Sequence, residues 1–274
     1  MTRVHLPSFR DAIDDSLARL GIGGVEVDTG HWQGVTTEGH PDLVTYELPD
    51  VIWSVPMPVD DPDLLRVEIQ PNLPWADDHF AERVSRDPSN PGEQYKNWPW
   101  WSGQDKETRA TGRFTHTYQE RYWPKYAGEG DEGPYRTYEG RDNWGIRYQY
   151  GDLDDLLSLL YTKPYTRQAW LPIFFPEDTG AVHEGRVPCT LGYQFMLREG
   201  KLHMWYIIRS CDAVRHFRDD IYLSARLLLW VLEQLQEWEL RDDKPQVWVD
   251  VNPGIFHFHC FSLHVHKGDL HLLK

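Results

Sequence analysis

Three short segments of the chain carry residues that could do nucleophilic chemistry on an anionic substrate. The first is RVPCT at residues 186–190, where Cys189 precedes a predicted strand. The second is RSCD at residues 209–212, at the end of the returning strand, and the third is KPYTRQ at residues 163–168. A cysteine thiolate is a strong nucleophile, and arginine binds phosphate through paired hydrogen bonds. The first two segments also have a structural alternative: a buried thiol for Cys189, and a salt bridge between Arg209 and Asp212.

The elements that must position these segments can be predicted from hydrophobic spacing. Residues 193–197 and 202–206 alternate apolar and polar side chains around a turn at 198–201, which predicts a hairpin. Residues 8–20 and 219–240 have helical spacing, and the second of these helices is apolar on nearly all sides, so it should be buried. Asp152 should cap a helix through LDDLLSLLY, and residues 246–273 read as strands. Residues 85–145 should form an irregular insertion, and the class is α+β, a mixed β-sheet with a long buried central helix.

Composition excludes several functional classes. The 274 residues contain 28 Lys and Arg against 43 Asp and Glu, a net charge of −15 that opposes direct binding of nucleic acid. Three cysteines are too few for a disulfide framework and fit a reducing cytoplasm. No apolar signal segment opens the chain, and no apolar run is long enough for a membrane span. We therefore expect a cytoplasmic protein without membrane contact.

The run RVPCTLGYQFMLREGKLHMWYIIRSCD, followed by DDIYLSARLLL, resembles the central region of the thymidylate synthases. That family has a Pro-Cys nucleophile, a Gln-Phe strand, a Gly-Lys-Leu turn, an Arg-Ser-x-Asp clamp and a long buried helix. The segment at 163–168 is similar to its Asn-Pro-x-Ser-Arg-Arg loop, and FTHTYQERYW to its Val-Tyr-Gly segment. Residues 9–30 are similar to its first helix and turn. The resemblance covers roughly residues 150–232 most closely and implies a single thymidylate synthase-like domain over 1–274.

For the chemistry, the resemblance implies that Cys189 adds to C6 of a pyrimidine nucleotide. C5 then behaves as a carbanion and attacks the methylene group of 5,10-methylenetetrahydrofolate, the one-carbon donor. Glu68 would hold an ordered water molecule. The implied assembly is a homodimer in which Arg167 reaches the phosphate bound by the partner subunit.

The resemblance also implies which side chains bind the two substrates. Each of these side chains aligns with a position whose role is known in the family. The expected phosphate ligands are Arg209 and Ser210, the sugar ligand is His259, and Tyr118 and Asp220 also line the nucleotide site. The pterin ring of the folate would bind Asp212. Trp98 and Trp101, which form a cluster with Trp100, could stack on the folate ring or simply pack a loop.

Asp220 is the departure that points to a particular base. The family's methylases place an asparagine there, whose amide matches uracil. A carboxylate can accept from the N4 amine of cytosine, with one added proton completing the pair. Aspartate at this position is the pattern of the phage deoxycytidylate hydroxymethylases, which act in nucleotide biosynthesis for DNA modification. The structural alternative is that Asp220, or Asp219, caps the long helix.

Other departures bear on the product. Thr190 stands where the family has a histidine, and Ile208 where it has a glutamine. Phe261 replaces a tyrosine whose hydroxyl holds the sugar, Gln168 replaces a second bridging arginine, and the opening turn DTG lacks the family's phosphate arginine. The chain ends soon after His264, without the tail that closes over the folate. Hydride transfer needs a site that excludes water, so we expect capture by water and a 5-hydroxymethyl product.

Two alternatives remain open beside a dCMP hydroxymethylase. One is a methylase of dUMP or dCMP on the same fold, and the other is a catalytically inactive relative that binds nucleotides. A metal site is a further candidate, because histidines spaced i, i+2 can bind zinc. No cysteine or carboxylate has matching ligand spacing, so no metal is expected. The histidines concerned are His257, His259, His264, His266 and His271.

Overall fold

A computed structural model describes most of the chain, and it divides the chain into two compact units. The units are Met1–Pro71 with Cys189–Lys274, and Asn72–Pro188. The described residues are 4–32, 35–58, 62–99, 114–125, 127, 137–138, 141–142, 151–180, 186–242 and 247–273.

The secondary structure mixes strands and helices throughout. The described strands are β1 (Val4–His5), β2 (Val25–Val27), β3 (His31–Trp32), β4 (Val35–Thr36), β5 (Thr45–Pro56), β6 (Thr137–Tyr138), β7 (Arg141–Asp142), β8 (Trp170–Pro172), β9 (Thr190–Arg198), β10 (Lys201–Ile208), β11 (Cys211–Asp212) and β12 (Asn252–His266). The described α-helices are α1 (Phe9–Gly23), α2 (Pro62–Ile69), α3 (Trp75–Arg83), α4 (Tyr118–Tyr122), α5 (Leu153–Thr162) and α6 (Phe217–Arg241). Short 3₁₀ helices lie at Pro41–Leu43, Gln94–Asn97, Pro176–Asp178 and Lys267–Leu272.

The first unit is built on a mixed sheet in the order β1-β5-β12-β10-β9. β5 pairs antiparallel with β12 and β10 antiparallel with β9, whereas β12 runs parallel to β10. At its far end β12 also pairs in parallel with the short β11, and β2 pairs with β5. The predicted α+β class with a mixed sheet is confirmed.

Helices α1 and α6 cover one face of this sheet. Phe9 of α1 packs edge-on against Phe256, with ring centroids 5.3 Å apart, and Phe217 of α6 lies 5.8 Å from Phe258. All four rings are at most 1% exposed. The long helix was predicted at 219–240 and begins two residues earlier, with His216 at its N-cap. Neither Asp219 nor Asp220 is therefore the N-cap residue, although both lie in the first turn.

The predicted hairpin is confirmed, and its turn lies within the residues predicted for it. β9 ends at Arg198, β10 begins at Lys201, and the two intervening residues both have positive φ, 52° at Glu199 and 68° at Gly200. Two left-handed residues give a turn whose twist matches that of the flanking strands. The side chains alternate as predicted, so that Leu202 and the residues two apart from it face the helices.

The C-terminal strand is shorter than predicted. β12 ends at His266, and residues 267–272 form a 3₁₀ helix instead of continuing the strand to Leu273. The backbone N–H of Lys267 donates to the carbonyl of Val44 at 2.8 Å. The polar run Lys267-Gly268-Asp269 offers no apolar side chain to the core, which removes the reason for a strand to continue.

The second unit contains α3, α4 and α5. The helix predicted after Asp152 is confirmed, and the Asp152 carboxylate accepts the N–H of Asp155 at 3.0 Å. A buried ion pair joins Arg121 to Asp178 through hydrogen bonds of 2.9 and 2.8 Å. The insertion predicted at 85–145 lies in this unit, where its described part contains α4, β6, β7 and a 3₁₀ helix; much of it lies outside the described residues. No described helix is both long and apolar enough to cross a membrane.

Candidate active site

Cys189 lies beside Arg209 and Ser210 because β9 and β10 are antiparallel neighbours. The residue before β9 and the residues after β10 therefore meet at one end of the hairpin, where the N–H of Arg209 donates to the carbonyl of Cys189 at 2.9 Å. Arg209 Nη2 and Ser210 Oγ each lie 3.8 Å from Cys189 Sγ. A half-buried sulfur thus has a guanidinium and a hydroxyl as its immediate neighbours. This is an arrangement that can both attack a substrate and bind an anion.

The salt bridge between Arg209 and Asp212, considered as an alternative, is not formed. The Asp212 carboxylate instead accepts the backbone N–H groups of Val214 and Arg215 at 2.9 and 3.0 Å. Its other oxygen faces Arg215 Nε at 3.8 Å and His266 Nε2 at 4.0 Å. Arg209 is therefore not neutralised by this carboxylate.

The other two cysteines differ from Cys189 in burial. Cys211 is 3% exposed and Cys260 is fully buried, whereas Cys189 is of intermediate exposure. Burial raises the pKa of both thiols, and the negative charge of Asp220 raises the pKa of each further. Both thiols therefore stay protonated and unreactive in the folded protein.

We expect iodoacetamide at pH 8 to alkylate Cys189 in the folded protein roughly a hundredfold faster than Cys211 or Cys260, because Cys189 is more exposed and burial raises the pKa of the other two thiols. Peptide mass spectrometry over a time course measures the three rates separately. In guanidinium chloride all three cysteines should react alike, which is the control. Equal rates in the folded protein would contradict this assignment.

Asp220 lies in the same neighbourhood as Cys189. The Cys211 thiol donates to Asp220 Oδ2 at 3.6 Å, from the strand that follows Ser210. Ser210, whose Oγ lies 3.8 Å from Cys189 Sγ, directly precedes Cys211 in the chain, and this links Cys189 to Asp220 through two neighbouring residues. The fold therefore brings the predicted nucleophile and the predicted base-reading carboxylate to one region, although 31 positions separate them in the sequence.

Glu68 and His259 have partners that the sequence did not suggest. Glu68 Oε2 accepts the N–H of Phe9 at 3.0 Å, so its negative charge stabilises the amino end of α1. His259 Nε2 lies 2.7 Å from Asp50 Oδ1. Asp50 was not predicted as a site residue, and its contact with His259 follows only from the antiparallel pairing of β5, where Asp50 has a positive φ of 56°, with β12.

The remaining predicted site residues belong to the second unit. Arg167 is exposed in a turn after α5, in which the N–H of Thr166 donates to the carbonyl of Lys163 at 2.9 Å. The guanidinium of Arg83 stacks on the ring of Tyr118, 4.0 Å from its centroid. Trp98 packs near Trp75, with ring centroids 6.5 Å apart. Trp101, like Trp100, lies outside the described residues.

No model of a known protein family matches the chain, and no curated protein matches it either. The resemblance to thymidylate synthases consequently rests on the sequence motifs alone.

Proposed function

We propose that the protein is a folate-dependent enzyme that transfers a one-carbon unit to C5 of a pyrimidine nucleotide. The observation that carries the proposal is the contact of Cys189 Sγ with Arg209 and Ser210, each at 3.8 Å. A nucleophile next to an anion-binding pair is what covalent chemistry on a nucleoside monophosphate requires. The thymidylate synthase-like fold is part of this proposal.

In the proposed reaction, Cys189 attacks C6 of the base and the C5–C6 double bond delivers its electrons to C5. C5 then forms a bond to the methylene carbon of methylenetetrahydrofolate, and one of that carbon's two bonds to folate nitrogen breaks. Loss of the C5 proton breaks the second carbon–nitrogen bond, which releases tetrahydrofolate and leaves an exocyclic methylene group on C5. Water adds to this methylene group, and release of the Cys189 thiolate then regenerates the C5–C6 double bond. The products are a 5-hydroxymethyl nucleotide and tetrahydrofolate.

The proposed substrate is dCMP because of Asp220. Its carboxylate lies in the first turn of α6, within hydrogen-bonding distance of the thiol of Cys211, the residue that follows Ser210. A carboxylate accepts from an amine, which cytosine has at C4 and uracil lacks. The hydroxymethyl product follows from the resemblance to the phage enzymes at this position.

The roles of Glu68, His259 and Asp212 stay predictions. Glu68 is engaged with the amino end of α1, and His259 with Asp50, so either would act on substrate or water from an already hydrogen-bonded position. Asp212 has one oxygen held by two backbone N–H groups, and a pterin ring would have to bind the other.

The experiment that tests the proposal is mass spectrometry of the nucleotide formed from dCMP and methylenetetrahydrofolate. We expect 5-hydroxymethyl-dCMP, with tetrahydrofolate as the second product. A stoichiometric rise of dihydrofolate would identify the methylase alternative, since hydride transfer oxidises the folate. Absence of tritium release from C5-labelled dCMP and dUMP would instead favour the inactive nucleotide-binding relative.

A homodimer is also part of the proposal, and the second face of the sheet supports it. Opposite the helices, this face carries large apolar side chains that are half-exposed, including Met196, Trp205 and Ile207, and Phe261 is 45% exposed. Trp205 stacks on His257 with ring centroids 4.2 Å apart. A sheet face of this composition suits burial against a second copy of the chain.

If Arg167 acts across the dimer, mixing Cys189→Ser with Arg167→Ala should restore activity. Hybrid dimers would contain one site with both an intact cysteine and an intact partner arginine. Activity measured after subunit exchange should exceed that of either variant alone, up to about a quarter of wild type if exchange is random, because half of the dimers are hybrids and each has one competent site of two. The control is Arg167→Ala mixed with itself. A protein that is monomeric by light scattering at assay concentration would contradict this prediction.

A further inference from the structure

Three groups of metal-ligating type meet where β11 pairs with β12. Asp212 is directly opposite His264 in the parallel register. His266 follows two positions later on β12, so its side chain leaves the strand on the same face as that of His264. One ligand atom from each of the three residues lies within 4.8 Å of the others. Parallel pairing thus brings the Asp212 carboxylate together with two imidazoles that follow it by 52 and 54 positions in the sequence.

The orientation of the His266 ring also favours metal binding. Its ring is buried, and Nδ1 lies 3.0 Å from the carbonyl oxygen of Leu43, an acceptor that requires the proton on Nδ1. Nε2 then carries the lone pair, and it has no hydrogen-bond partner although its atom is fully buried. It points towards Asp212 Oδ2, 4.0 Å away. Buried polar atoms are normally hydrogen-bonded, whereas a histidine that donates from one nitrogen to a backbone carbonyl commonly binds metal through the other.

The Asp212 carboxylate is also held in an orientation that suits metal binding. The backbone N–H groups of Val214 and Arg215 both donate to Oδ1, which fixes the carboxylate and leaves Oδ2 towards His266. The Arg215 side chain also approaches Oδ2, at 3.8 Å, but its guanidinium is hydrogen-bonded to Asp269 at 2.5 Å.

We propose that Asp212, His264 and His266 form a binding site for a divalent transition-metal ion, for which Zn²⁺ is the probe. Two imidazoles and one carboxylate are a donor set that Zn²⁺ and its neighbours accept, with a water molecule at the open position. Zinc–ligand bonds of about 2.1 Å in a tetrahedron place ligand atoms about 3.4 Å apart, so Asp212 and His266 must approach by roughly 0.6 Å. The site goes beyond the proposed function, and it uses the Asp212 oxygen that a pterin ring would need.

The test uses the full chain, stripped with a chelator and titrated with Zn²⁺ and Co²⁺. All proteins carry Cys189→Ser, which removes the half-exposed thiol as a competing ligand. The variants are His264→Gln and His266→Gln, and the matched control is His271→Gln, whose side chain is exposed. Bound zinc is counted by mass spectrometry of the metal after gel filtration, Co²⁺ coordination is followed by visible absorption, and circular dichroism verifies the fold.

We expect one zinc ion per chain, an affinity loss of roughly a hundredfold or more in each ligand variant, and unchanged binding in His271→Gln. Zinc should raise the melting temperature of the parent protein and not that of the ligand variants. The proposal is overturned if the parent binds no stoichiometric metal, if both ligand variants bind as tightly as the parent, or if His271→Gln loses binding equally.

Asp212→Asn separates this inference from the folate chemistry. Weaker zinc binding supports the metal site, whatever the outcome of the nucleotide assay. If Asp212→Asn binds zinc as the parent does, and binds methylenetetrahydrofolate more weakly in the presence of nucleotide, the carboxylate is a pterin contact and the metal site is overturned.

Discussion

Cys189→Ser should lower the turnover of dCMP by on the order of 10⁴-fold or more, with nucleotide binding retained. The covalent adduct is the step that makes C5 nucleophilic, so its loss removes the reaction path instead of weakening one contact. Because Cys189 is only half-buried at the end of a hairpin, the exchange of sulfur for oxygen leaves the packing of the unit intact. Initial rates with tritium release from C5 and calorimetric binding of dCMP measure the two effects separately.

The matched control for this variant is Cys260→Ala. Cys260 is buried on β12 and its thiol stays protonated, so its removal should leave turnover within about threefold of wild type once the folded fraction is corrected for. If Cys189→Ser retains activity within about tenfold of wild type, which is about 1.4 kcal/mol in barrier height, Cys189 is not the nucleophile. Equal losses in both variants would point to a structural effect.

Asp220→Asn should reverse the choice of base, losing dCMP turnover and gaining dUMP turnover. An amide donates where the carboxylate accepts. The wild type therefore leaves a buried polar group unpaired when uracil binds, and Asp220→Asn does so when cytosine binds. Each such mismatch costs about 1–3 kcal/mol, and the preference should change by roughly tenfold to a hundredfold or more. The ratio of kcat/KM for dCMP and dUMP is the quantity to compare. The amide oxygen of asparagine can still accept from the Cys211 thiol, so the local contact is preserved.

Asp219→Asn is the control for this exchange, because Asp219 is the neighbouring carboxylate in the same turn and is 2% exposed. Its substitution can destabilise the protein but should leave the base preference unchanged. A wild-type enzyme that uses dUMP and ignores dCMP would overturn the role given to Asp220. A preference changed equally by both substitutions would indicate that the charge of the turn, and not one side chain, selects the base.

Local patterns were enough to predict the elements around Cys189. The alternation of apolar and polar side chains predicted both strands of the hairpin. The turn at Glu199-Gly200 could be predicted because a tight hairpin turn needs positive φ values, which glycine adopts readily. Twenty positions from Cys189 to Arg209 span one hairpin, so contact between the ends followed from antiparallel pairing alone. The pattern failed after His266, where a polar run looked like a continued strand and formed a 3₁₀ helix.

Contacts between distant segments needed the tertiary structure. The pairing of His259 with Asp50 joins β12 to β5 across 209 positions, and no spacing rule links them. Cys211 and Cys260 are buried whereas Cys189 is of intermediate exposure, a difference that no local pattern predicts.

The sequence by itself determined the hairpin, the long buried helix and the candidate nucleophile with its arginine, because these depend on periodicities within a few turns or strands. Only the tertiary structure decided that Asp212 turns away from Arg209 and towards His266. That decision depends on the register between β11 and β12, which is set by the whole sheet and leaves no local trace in the spacing of ligand residues. The physical reason is that a metal site needs its donors within a few ångströms in space, whereas a sequence motif records only their distance along the chain.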